Sequence, residues 1–239
     1  MLFRCKTNRV FFLALLFVSA LLVVACGPKA RLPVSEMDTP AHHTFTGMKM
    51  LDSQRYADAA REFELALSMD MKYSKAHTGL GLVKTYTGDC AAALDHLEKG
   101  AKYANTDDEA LFSHVGFIRY HAHGKTPGNW LDECKGHFEA AAKLDAGHSA
   151  AYYFMGLAYK QAYDFDTAGR MFSRVLDLKK DYVSQADAQW KFVQKVQRAM
   201  PGSATGKQIA LVEKISRADA AALFMEELKI DVLYKKRTP

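Results

Sequence analysis

Hydrophobic and polar positions fall into distinct regimes along the chain. From Val10 to Ala25 the run VFFLALLFVSALLVVA carries no charged residue. Residues 27–41, with Pro28, Pro33 and Pro40 among polar neighbours, show neither the period of a strand nor that of a helix and predict an extended tether. From 42 to 200 small and apolar residues recur at a helical spacing. After Pro201 a small polar linker between Gly202 and Gly206 leads into a last pair of apolar runs ending near Leu228.

The helical stretch repeats itself, most visibly around Gly47, Gly81, Gly116 and Gly156. Ala59 and Ala93, Phe63 and Leu97, and Ala66 and Gly100 are each 34 residues apart, and so are Cys134 and Ala168, Phe138 and Phe172, and Ala141 and Val175. The middle step, from Ala93 to Cys134, is 41. An insertion therefore lies in the third unit, and the run His123-Gly124-Lys125-Thr126-Pro127-Gly128-Asn129 predicts an enlarged loop there, because glycine and proline break helices. Each unit needs small residues where two helices cross closely and an aromatic or leucine to fill the gap between neighbouring pairs.

That spacing of small and aromatic residues resembles the tetratricopeptide (TPR) repeat, best in Tyr152-Tyr153-Phe154-Met155-Gly156-Leu157-Ala158-Tyr159 followed by Ala168 and Phe172. Met71, Asn105, Ala146 and Lys180 stand where the family usually carries a proline. The resemblance implies an all-α fold: a right-handed solenoid of about four helix pairs, with Ala186, Trp190, Val193 and Val196 on a capping helix and a helical extension beyond it. It also implies a concave wall built from the first helix of each pair. Mapped onto this chain, the groove positions are Thr44, Met48, Thr78, Leu82, Thr85, Ser113, Phe117, Tyr120, Tyr153, Leu157 and Lys160. They lack the lysine and asparagine with which some TPR domains clamp a terminal carboxylate, and suit an apolar extended peptide or an amphipathic helix instead. Leu82, Phe117 and Leu157 read equally well as core.

The amino terminus has the order of an export signal: Arg4, Lys6 and Arg9, then the uncharged run, then Val23-Val24-Ala25-Cys26. That last run resembles a lipobox, the processing site of bacterial lipoproteins, which implies a signal peptide over 1–25 and lipidation of the Cys26 thiol. Two or three acyl chains hold a protein on a membrane essentially permanently. Glycine at 27 implies, by the same resemblance, an outer-membrane location facing the periplasm. The division is thus leader (1–25), lipidated cysteine and tether (26–41), solenoid with cap (42–200), and linker with helical segment (201–239).

In that last segment Ser216 and Asp219 form a helix-start signature. The run from Ile215 to Leu228 resembles one end of an S-layer homology (SLH) motif, which implies that Arg217 touches a cell-wall polymer. Half of such a module cannot close its own core, so the segment is either a docked amphipathic helix or part of something longer.

Composition narrows the function classes. With 49% hydrophobic and 25% charged residues the chain can bury a core. The net charge of +5 shrinks toward neutrality once the basic leader is set aside, which gives no electrostatic reason to expect nucleic acid as a partner. No nucleophile elbow, phosphate loop, dinucleotide fingerprint or HExxH run occurs, so no catalytic residue, cofactor or metal is assigned. His114, His121, His123 and His137 are a loose group without zinc spacing, and the pairing of Cys90 with Cys134 stays open. The expected function is an envelope scaffold that recruits another envelope protein or peptide, the alternative being a cell-wall-polymer anchor through Arg217.

Overall fold

The computed structural model describes residues 31–35, 38–124, 128–199, 201–212, 214–230 and 232. The leader and Cys26 lie outside them. Among the described residues every regular element is a helix: α1 (Pro40–Asp52), α2 (Tyr56–Met69), α3 (Ser74–Thr87), α4 (Cys90–Tyr103), α5 (Asp107–Gly124), α6 (Trp130–Leu144), α7 (Ser149–Gln161), α8 (Phe165–Leu178), α9 (Val183–Ala199), α10 (Ala204–Ile209) and α11 (Arg217–Glu226). None of the described helices is long and apolar enough to cross a membrane.

Local chemistry sets the helix ends. Thr39 caps α1 by accepting from the His42 N–H, and Pro40 occupies the first turn, where its missing N–H costs nothing. Asp89 and Asp164 cap α4 and α8 in the same way through the Ala92 and Thr167 N–H groups. Gly88 ends α3 at φ 88°, a left-handed conformation that glycine adopts without strain.

The helices pack in consecutive pairs, α1 with α2, α3 with α4, α5 with α6 and α7 with α8, and α9 covers α8. The first helices also pack on one another in order, from α1 to α7. Three of the second helices bury a seam with a large residue at its centre: Ala59, Phe63 and Ala66 in α2, Ala93, Leu97 and Gly100 in α4, Ala168, Phe172 and Val175 in α8. In α6 Cys134 and Ala141 are buried and Phe138 partly so. Close approach explains the glycines opposite. A Cβ on Gly47 would lie 2.7 Å from the Phe63 ring, one on Gly81 2.7 Å from Leu97, and one on Gly156 2.6 Å from Phe172.

The third pair departs from this register. A Cβ on Gly116 would meet Thr78 of the preceding pair at 2.5 Å and Leu97 at 3.2 Å, not a residue of α6. The small residue sixteen positions before Phe138, matching the other pairs, is Ala122, which shares an apolar cluster with Cys134 and Phe138. Helix α5 is 18 residues long where α3 has 14 and α7 has 13. Part of the insertion is therefore an added helical turn, and His123 and Gly124 belong to that helix rather than to the expected loop.

Candidate partner groove

A cavity of about 530 Å³ runs along the first helices. Its lining comes from α1, α3, α5, α7 and the start of α9 with the turns that precede them; no second helix contributes. A neighbouring cavity of about 230 Å³ continues it past Tyr86, Tyr153 and Leu157. Asp52, Arg119, Phe154, Tyr182 and Gln185 line both, so they form the shared floor.

Arg119 organises that floor. It is 5% exposed, and its Nε donates to Tyr86 Oη at 3.0 Å while Nη2 donates to Asp52 Oδ1 at 3.1 Å. The guanidinium lies 4.3 Å from the centroid of the Phe154 ring, a cation–π contact. A buried cation needs such compensation, since unpaired burial of a charge costs several kcal/mol. Asp52 Oδ2 accepts in turn from Tyr182 Oη at 3.4 Å, across 130 residues of sequence. The Tyr182 ring stacks on Tyr153 at 4.9 Å and meets Phe154 edge-on at 5.3 Å. Burial, and then the Asp52 charge, push the Tyr182 hydroxyl far above its usual range, so it remains a donor. Tyr182 holds φ 62°, a value rare outside glycine, and lines both cavities. The result is a clasp joining α1, α3, α5, α7 and the approach to α9.

Around the clasp the wall is mixed. Phe45, Met48 and Phe112 supply apolar surface, Phe45 being 59% exposed, and Lys49, Lys75 and Asp181 supply charge. The side chains Thr44 Oγ1 and His148 Nδ1 are buried there without a hydrogen-bond partner among the described residues.

The positions expected from sequence divide accordingly. Thr44, Met48 and Leu82 line the larger cavity, and Tyr153 and Leu157 the smaller one. Thr78, Thr85, Ser113, Phe117, Tyr120 and Lys160 line neither. Thr78 is fully buried and donates to the Ser74 carbonyl, and Thr85 donates to that of Gly81. Ser113 is buried too. Phe117 and Tyr120 pack with Ala93 and Leu97 of α4, and Phe117 stacks on His137 of α6 at 4.5 Å. Lys160 Nζ is engaged by Gln189 at 2.7 Å. On α5 the groove face is instead Phe112, Val115, Gly116 and Arg119. Sequence reading missed Asp52, Arg119, Phe154 and Tyr182. A signal for Arg119 was present: it is the only Asp, Glu, Lys or Arg between Glu109 and Lys125.

The remaining candidates are also placed. Cys90 is exposed, Cys134 is buried, and both are free, with burial pushing the Cys134 thiol up to about 12. His114 and His137 face each other with Nδ1 atoms 3.0 Å apart, and the His121 ring lies 5.8 Å from that of His137, while His123 packs on Tyr86. Among the described residues no group of three or more His, Cys, Asp or Glu side chains has an arrangement fit for a metal ion. Arg217 is exposed at the first position of α11, behind a reciprocal capping box in which Ser216 and Asp219 bond each other's N–H. Helix α11 buries no residue; it packs on α10, and Glu227 just beyond it accepts from Gly202 N, Ser203 N and Ser203 Oγ.

No protein-family model matches this chain, and no curated protein matches it at a significant level.

Proposed function

We propose that this chain is a lipid-anchored scaffold of the bacterial cell envelope, a right-handed tetratricopeptide-type solenoid that holds a segment of another envelope protein in the trough of its first helices. The observation that carries this reading is the trough itself: about 530 Å³, lined from every first helix in order, with exposed aromatic surface above a buried cation. An apolar wall with a few placed polar groups suits an amphipathic helix or extended peptide, whose side chains gain burial while its backbone uses groups such as Thr44 Oγ1 and His148 Nδ1. The export-type leader and Val23-Val24-Ala25-Cys26 support anchoring at Cys26, with the outer membrane as the site.

Affinity isolation from envelope extracts tests the binding role. The unaltered chain should recover a discrete partner that the Phe45→Asp, Met48→Asp variant loses at least tenfold, since each change sets a charge on apolar contact surface. Equal recovery by both chains contradicts the proposal. A second reading, cell-wall-polymer binding through Arg217, is favoured by its exposure beside the capping box. Sedimentation with purified cell wall, lost in Arg217→Ala, would support it; no sedimentation of the unaltered chain removes it.

A further inference from the structure

The chain ahead of α1 is fastened to the body. Arg31 donates from Nη1 and Nη2 to both carboxylate oxygens of Asp38 at 2.9 and 2.6 Å, and its backbone N–H donates to the Ser68 carbonyl at 2.6 Å. Asp38 also accepts from the Val34 N–H at 2.7 Å and bonds His43 Nε2 at 2.8 Å, and His43 Nδ1 bonds Glu62 at 2.7 Å. Arg31 and His43 hold the Asp38 carboxyl far below the usual carboxylate range, so the clip stays charged. Within it Leu32 is 82% and Val34 85% exposed, more than any other large apolar residue among those described. Two apolar side chains are thus presented outward by a polar clip that buries neither of them.

We propose that Leu32 and Val34 are a membrane-insertion tip, seated in the interfacial layer of the bilayer that holds Cys26; this rests on the reading of Cys26 as a lipid anchor. Chain length selects that occupant. The six residues from Cys26 to Leu32 span at most about 20 Å when fully extended, so the tip stays within about that distance of the membrane surface once the cysteine is acylated. A contact too weak to hold a free protein is sustained under such tethering, because the second association is intramolecular at roughly millimolar effective concentration. The tip and the acyl chains then fix two points, which turn the α1–α2 end of the protein, where the clip is bonded, toward the bilayer.

The test uses the full chain with its leader, made in bacteria, extracted from membranes and reconstituted in phosphatidylethanolamine–phosphatidylglycerol vesicles. In a Val34→Cys, Cys90→Ser chain the new thiol is labelled with an environment-sensitive fluorophore, Cys134 being buried. The expected result is a blue-shifted emission that doxyl-bearing lipids quench, while the same label on Cys90 of the otherwise unaltered chain keeps its aqueous spectrum. An aqueous, unquenched spectrum at position 34 in a chain whose mass shows the lipid on Cys26 overturns the tip alone. A mass without lipid overturns the anchoring reading and the tip with it, so the two failures are told apart.

Discussion

At the scale of single residues the molecule turns on Arg119. Its guanidinium is buried against Phe154 and neutralised by Asp52, whose side chain is 40% exposed. Removing the carboxylate strands a buried cation, whereas removing both charges leaves an apolar floor. Asp52→Ala should therefore cost about 3 kcal/mol, and the double change Asp52→Ala with Arg119→Met clearly less than the two single losses added together. Denaturant midpoints for the four chains check this, and additive losses would mean that the pair does not couple the repeats. The histidines give the pH dependence. His77 Nε2 donates to the Met71 carbonyl, leaving Nδ1 bare to accept from His96 Nδ1 at 3.2 Å. His114 and His137 make the equivalent couple, and neither couple tolerates two protons. Burial, followed by the nearness of His114 and His121, holds His137 down at about 4. His77, His96, His114 and His121 are lowered as well, burial leading in each. The unfolded chain then binds more protons than the folded one below about pH 6.5, so stability is full above that pH and falls away toward pH 4. His43 acts in the opposite sense: Asp38 and Glu62 outweigh its burial and raise it, so its contribution is present at low pH and lost as pH rises through its folded value. Thermal melts should show a midpoint lower at pH 5 than at pH 7.5, with a shallower slope in His137→Leu; a flat profile would contradict the account.

At the scale of elements, the glycines separate two roles that look alike in sequence. Gly156 faces Phe172 with no room for a methyl group, so Gly156→Ala should destabilise by about 1–3 kcal/mol. Gly136, exposed on α6 with open space around its Cα, should behave in reverse, Gly136→Ala adding about 0.5–1 kcal/mol through helix propensity. Calorimetric or denaturant unfolding of the two variants reads both signs. The same contrast shows what was legible beforehand. The second-helix seams were readable because 34-residue steps link Phe63 to Leu97 and Phe138 to Phe172, and the start of α11 followed from Ser216 and Asp219, whereas the Asp89 and Asp164 caps were shown by the structure. The groove was half legible. Thr44, Met48, Leu82, Tyr153 and Leu157 fell where the repeat placed them, but Thr78 and Thr85 in α3 and Ser113 and Tyr120 in α5 are buried in the helix packing instead. Phe117, which the repeat matches to Leu82, packs on α4 and His137 in the longer α5, whose added turn a fixed offset cannot represent. The Asp52–Arg119–Tyr182 clasp has no local signature, since its members are 67 and 63 residues apart and meet only when the pairs stack.

At the scale of the whole molecule, order along the chain becomes order in space: successive pairs pass their first helices along one wall, and α9 closes the far end by laying Val193 and Val196 over Phe165, Ala168 and Phe172. The clasp ties the first pair to the approach of α9, so a partner entering the trough meets a floor already organised. Preorganisation of that kind lowers the ordering cost of binding. If the trough is the binding surface, contact with the partner must be confined to it. Site-specific photocrosslinking in living cells measures this, with a photoreactive amino acid placed in turn at Phe45, at Phe112 and at Glu98 on the exposed side of α4. The account predicts one discrete adduct from Phe45 and Phe112 and none from Glu98; adducts from Glu98 alone, or equally from all three positions, would contradict it.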